Sequence, residues 1–140
     1  MEFLLITLFL LLIAFLDLKY RQIPNRLVYP ATAVLLLYHS YRQPTAWPAI
    51  LIGGGLALGI FALTAWLRPG DLGGGDIKLA ALIGLFFGFP AVLWALGIGV
   101  GLGAGTAVFL LWRGQDRHTH IPYAPFLCLG AFIALLIQRL

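Results

Sequence analysis

Six apolar runs, separated by short polar or Gly/Pro stretches, take up almost the whole chain of 140 residues. They fall at about residues 3–16, 26–39, 47–67, 77–89, 91–112 and 121–138. Runs this apolar are buried either in protein or in lipid, and composition decides between the two. The chain is 61% hydrophobic and only 10% charged, whereas a soluble domain carries roughly 25% charged residues. In hydrocarbon the backbone must satisfy its own hydrogen bonds, so these runs are expected to be helices. The sequence thus predicts an all-α integral membrane protein. Its fold is a polytopic bundle of about six transmembrane helices, in one domain over residues 1–140, with the lipid bilayer as its solvent.

Local signals place the breaks. The first run carries Glu2 instead of a basic start, and no small-residue cleavage site follows, so it reads as a span continuing through Asp17 and not as a removed leader. Ile23-Pro24-Asn25 stops it, because proline disfavours helix at the residue before it and opens the next helix well. Pro30 lies inside the second run. The third starts at Trp47-Pro48 and ends near Trp66, as interfacial aromatic belts would have it. Residues 68–76 read as a Gly- and Asp-rich loop. The fifth run carries Gly97, Gly99, Gly101, Gly103 and Gly105, spaced for close helix packing in lipid. Cys128, the one cysteine, reads as a small buried side chain, with no disulfide or CxxC metal site available to it.

Lysine and arginine give the orientation. The loops after the first, third and fifth spans hold Lys19, Arg21, Arg26, Arg68, Lys78, Arg113 and Arg117, and the other side holds Arg42 and Arg139. That bias puts the odd loops in the cytoplasm and both termini outside. Basic residues spread singly between spans serve orientation and imply no nucleic-acid partner.

Against this background the acids stand out, since a carboxylate beside hydrocarbon is costly and usually functional. Asp76 directly precedes the fourth run, and Asp17 ends the first, so both lie at the same cytoplasmic face. Two aspartates held close do not both ionise easily, which supplies one base to activate water and one acid to polarise a peptide carbonyl. Helix dipoles would make Asp76, at a helix start, the ionised base, and Asp17, at a helix end, its protonated partner. Gly73 and Gly75 would let the backbone turn sharply and come close to another helix or to a bound peptide. Lys78 would either anchor at the interface or hold Asp76 ionised. The bland counterparts are an Asp17 paired with Lys19 or Arg21, and solvated charges at Asp71 and Asp116. His118 and His120 read as surface histidines, not metal ligands. No metal and no cofactor is expected, because two carboxylates and water suffice for this acid–base chemistry.

Three segments carry a family resemblance. Asp17-Leu18-Lys19-Tyr20-Arg21-Gln22-Ile23-Pro24-Asn25 resembles the first aspartate motif of the type IV prepilin peptidases. Gly73-Gly74-Gly75-Asp76-Ile77-Lys78 is similar to their GxGD motif, and Ile121-Pro122-Tyr123-Ala124-Pro125-Phe126-Leu127 resembles the segment opening their last helix. The resemblance implies a membrane-embedded aspartyl endopeptidase that removes the basic leader from prepilins or pseudopilins at the cytoplasmic face of the plasma membrane. It implies Asp17 and Asp76 as catalytic, with Pro24, Asn25, Gly73, Gly75, Lys78 and Pro125 shaping the site. Pilus or type II secretion-like assembly machinery would be the partner. Larger family members have a further N-terminal region with CxxC motifs, linked to N-methylation. The chain lacks that pattern and is expected to be the short peptidase form of Flp/Tad and archaeal preflagellin systems. Two other readings compete. One is a proton- or cation-coupled transporter using the same two acids, which would favour acids near mid-membrane and inverted repeats. The other is an assembly factor using the glycine-rich fifth span.

Overall fold

The computed structural model describes residues 2–20, 23–70, 72–114 and 123–139. Six α-helices run through these residues: α1 (Glu2–Tyr20), α2 (Asn25–Arg42), α3 (Trp47–Leu67), α4 (Gly74–Phe87), α5 (Ala91–Trp112) and α6 (Ala124–Arg139), with a short 3-10 turn at Pro44–Ala46 before α3. The chain is all-α, as its composition demanded. α3, together with that short turn, and α5 are each long and apolar enough to cross a membrane. Exposed residues along them include Leu51, Ile52, Ile60, Leu63, Val100, Val108 and Phe109. A helix apolar on its outer side as well as its inner side fits lipid and not water.

Several ends differ from the sequence expectation. α1 continues through Asp17, as expected, but runs on to Tyr20, and α2 extends to Arg42, passing Pro30 without a break. Pro30 is the sixth residue of α2, past the first turn, so the helix continues there without the bond an N–H at position 30 would give the Arg26 carbonyl. The larger correction concerns the three glycines. They do not form a turn before the helix: α4 begins at Gly74, so Gly74 and Gly75 are helical. Gly73 has φ −74° and ψ 146°, extended backbone open to any residue. Asp71, Asp116, Arg117, His118, His120, Ile121 and Pro122 lie outside the described residues.

The chain divides into two compact units. One comprises residues 22–94, and its main packing is α3 on α4. The contact is close because it is glycine on glycine. A Cβ on Gly53 would lie 2.6 Å from the Gly84 carbonyl oxygen, and one on Gly54 would lie 2.5 Å from Leu85 Cδ2. In lipid, helix association rests on such van der Waals fit, because lipid tails are as apolar as the side chains. α4 ends at Gly88, whose φ of +64° suits glycine. Beyond it, the Phe89 N–H is donated to the Ala49 carbonyl at 2.8 Å. That N–H is therefore lost to the Leu85 carbonyl. The buried imidazole of His39, on α2, lies against the Leu85 backbone, although neither ring nitrogen reaches hydrogen-bonding geometry among the described residues.

The other unit comprises residues 1–21 and 95–140. Here α1 packs on α6. α5 and α6 meet at glycines, with a Cβ on Gly99 lying 3.0 Å from Leu127 Cα and one on Gly130 lying 2.5 Å from the Ala95 carbonyl oxygen. Gly97, Gly101 and Gly105, on the other side of α5, meet nothing within 4 Å.

Candidate active site

Asp17 lies in the last turn of α1 and is 5% exposed. Ile13 and Leu10, one and two turns earlier on the same side, are buried as well, so the acid continues a buried stripe along the helix. Its Oδ2 has no hydrogen-bond partner among the described residues. Of the two basic partners the bland reading offers Asp17, Lys19 turns elsewhere, its Nζ lying 5.2 Å from the centroid of the Tyr20 ring with both residues exposed, and Arg21 lies outside the described residues. Asp17 and His39 are the buried polar or charged side chains among the described residues. In the same unit as Asp17, Pro125 is the second residue of α6, a position where proline costs the helix little.

Asp76 stands at the third position of α4, in its first turn. Its Oδ2 accepts the Gly73 N–H at 3.3 Å, and its own N–H is donated to the Gly73 carbonyl at 3.1 Å. This is one half of a capping box; Gly73 has no side chain to supply the other half. The position also sets the carboxylate at the positive end of the helix dipole.

The segment Ile23-Pro24-Asn25 docks against this helix start. Pro24, in extended conformation, precedes α2, and its carbonyl accepts the Leu27 N–H at 3.0 Å. Ile23 is buried, and a Cβ on Gly75 would lie 2.9 Å from the Ile23 Cβ. Gly75 is thus needed for close approach of two segments and not for a turn. Lys78 donates from Nζ to Asn25 Oδ1 at 2.8 Å and sits 5.1 Å from the centroid of the Tyr29 ring. The structure therefore brings Asn25, Gly75 and Lys78 together. No motif singles out Tyr29, yet it lies four residues after Asn25 on the same helix, the spacing that puts two side chains on one face.

An all-α membrane chain results, with one buried acid at a helix end, a second acid capping a glycine-started helix, and motif residues gathered round the second. Its relatives define the class. The model of the type IV leader peptidase family matches residues 4–138, and the chain belongs to that family. It is 32% identical over 129 residues to a prepilin leader peptidase/N-methyltransferase of Bacillus subtilis, covering 91% of this chain and 52% of that protein. A protein of the same name from Xanthomonas campestris is 30% identical over 138 residues, covering 89% and 46%. The leader peptidase HopD of Salmonella typhimurium is 30% identical over 132 residues, covering 89% of this chain and 85% of HopD. The chain thus spans about half the length of the first two relatives and most of the third. No solved structure matches it significantly.

Proposed function

We propose that the chain is an aspartyl endopeptidase that removes the leader peptide from prepilins or pseudopilins. The observation that carries this is the family match, which runs through both aspartate segments and nearly the whole chain. Asp17 and Asp76 act as the catalytic pair. Asp76, at a helix N-terminus, is the base that takes a proton from the attacking water. Asp17 donates a hydrogen bond to the scissile carbonyl, and then the proton the leaving amine needs. The pair titrates together, so its behaviour belongs to both residues at once.

The excess of Lys and Arg in the odd loops supports a multi-pass topology of six spans in the plasma membrane, with both termini outside and the acids on the cytoplasmic side. There the pair would meet a leader that precedes a hydrophobic helix, before the mature protein joins pilus or secretion-type assembly machinery. The test is direct. The purified protein, in detergent or lipid, is incubated with a purified prepilin, and leader removal is followed by gel shift and mass spectrometry. Wild type is expected to cut, and Asp17→Asn and Asp76→Asn each to lose at least about a thousandfold in rate, within the range proton transfer and nucleophile activation supply. Cleavage by the double Asn variant would refute the pair.

A further inference from the structure

The contacts that Gly75 and Lys78 make with the start of α2 use one side of α4. Gly75 takes Ile23, and Lys78 takes both Asn25 and Tyr29. With 3.6 residues per turn, each residue is rotated by about 100° from the last, so Gly75 and Lys78 point within about 60° of each other. Asp76 is about 100° from Gly75 and about 160° from Lys78. It leaves the helix on another side, the one it shares with Leu79, Ala80 and Ile83, all of them buried.

A helix that starts on glycines has little side-chain substance in its first turn to stop it turning about its own axis. Gly74 meets nothing within 4 Å, and Gly75 offers only a flat contact. The α3 glycines hold α4 near its far end, at Gly84, Leu85 and Gly88. At the Asp76 end the hold on α2 comes from Lys78, with its ammonium bonded to Asn25 and lying over Tyr29.

We propose that Lys78 and Tyr29 are positioning residues: together with Asn25 they lock the rotation of α4 and so aim the Asp76 carboxylate. The proposal rests on reading Asp76 as catalytic. A carboxylate about 6 Å from a helix axis moves about 1 Å for a rotation of about 10°. A misplacement of about 1 Å is enough to cost on the order of a hundredfold in rate. A Lys78 that acted only by its charge would not need Tyr29, and this separates the two roles.

The experiment measures kcat and KM for prepilin cleavage by the full chain in lipid nanodiscs. Lys78→Met and Tyr29→Leu are expected to lower kcat by about twentyfold or more with KM held within about twofold, the mark of lost transition-state alignment. Lys78→Arg and Tyr29→Phe, which keep a cation over a ring, are expected to lose no more than about threefold. Wild-type kcat in Tyr29→Leu overturns the proposal, and so does a Lys78→Met that raises KM alone. A second measurement reads no catalysis. Asp76→Cys is labelled with a water-soluble maleimide, with and without Tyr29→Leu, and Thr64→Cys on α3 serves as reference. The rate at position 76 is expected to change by about threefold or more relative to the reference, as a rotated side chain requires; an unchanged ratio overturns the proposal. If wild type cuts no prepilin, the proposed function fails, and the labelling still decides the rotation.

Discussion

Gly75→Ala and Gly74→Ala are the same chemical change at adjacent positions, and the structure assigns them opposite signs. At position 75 the new methyl lies 2.9 Å from Ile23 Cβ, 3.3 Å from its Cγ1 and 3.4 Å from its Cδ1. Carbon atoms prefer about 3.5–4.0 Å, so the segments must part by about 0.5–1 Å. Because the nearest atom is a Cβ, fixed to the backbone, no rotamer change relieves it. Overpacking of this kind costs about 1–3 kcal/mol. At position 74 the methyl meets nothing within 4 Å, and the residue is helical with no left-handed φ. There alanine should be neutral or stabilise by about 0.4–1 kcal/mol through the unfolded chain. SDS-titrated unfolding of the full chain in mixed micelles measures both, and cleavage kinetics add the functional reading. Gly75→Ala is also expected to slow cleavage, since parting of Ile23 from α4 stretches the Lys78–Asn25 bond. Ile23→Ala, which keeps the Cβ, should restore little of the stability, while Ile23→Gly should show a coupling of about 1 kcal/mol or more with Gly75→Ala. Equal losses at 74 and 75, or none at 75, would refute the close-approach account of the GxGD glycines.

The helix contacts make a parallel prediction. Gly53→Ala and Gly84→Ala should each destabilise by about 1–3 kcal/mol in the same unfolding assay, while Gly55→Ala and Gly59→Ala, with nothing within 4 Å, should stay within about 0.5 kcal/mol of wild type. For the reaction, a pair needing one ionised and one protonated carboxyl predicts a bell-shaped kcat against pH. The acid limb falls as the base gains a proton, and the alkaline limb as the acid loses its own. A rate flat across both limbs would count against a two-carboxylate mechanism.

The class of the fold was plain in the sequence because 61% hydrophobic residues against 10% charged leave few alternatives. The helix faces were not. A helix in water reveals its buried side by periodicity, but α1, α3 and α5 are apolar all round, so periodicity carries almost no signal. The stripe Leu10, Ile13, Asp17 is visible only once burial is known. Helix ends were legible where a proline or tryptophan marks them, as at Pro24 and Trp47, and less so at Gly74, where glycine reads as loop by propensity. Of the site, the acids and the Asn25, Gly75 and Lys78 positions could be picked out by type and motif. The contacts that join them span 53 residues from Asn25 to Lys78, and nothing local in the chain announces a pairing so distant. Tyr29 is hidden for the same reason: in an aromatic-rich membrane chain one more tyrosine near an interface is unremarkable until a cation is found over it.

What the geometry changes is the meaning of the spacing in Gly73–Lys78. As a loop, the order of these residues would matter little beyond flexibility. As the start of α4, each position has a direction. Position 75 faces Ile23 and tolerates no side chain, and position 78, about one turn on, faces the same way and carries the group that fastens to Asn25 and Tyr29. Position 76 falls between them in sequence but on another side of the helix. Moving the acid by one residue would break this division. At position 75 it would collide with Ile23, and at position 77 it would lie about 100° further round, away from the Gly73 N–H that Asp76 accepts. The motif is therefore best understood as a phase relation on a helix, in which one face holds the helix in place and another presents the acid.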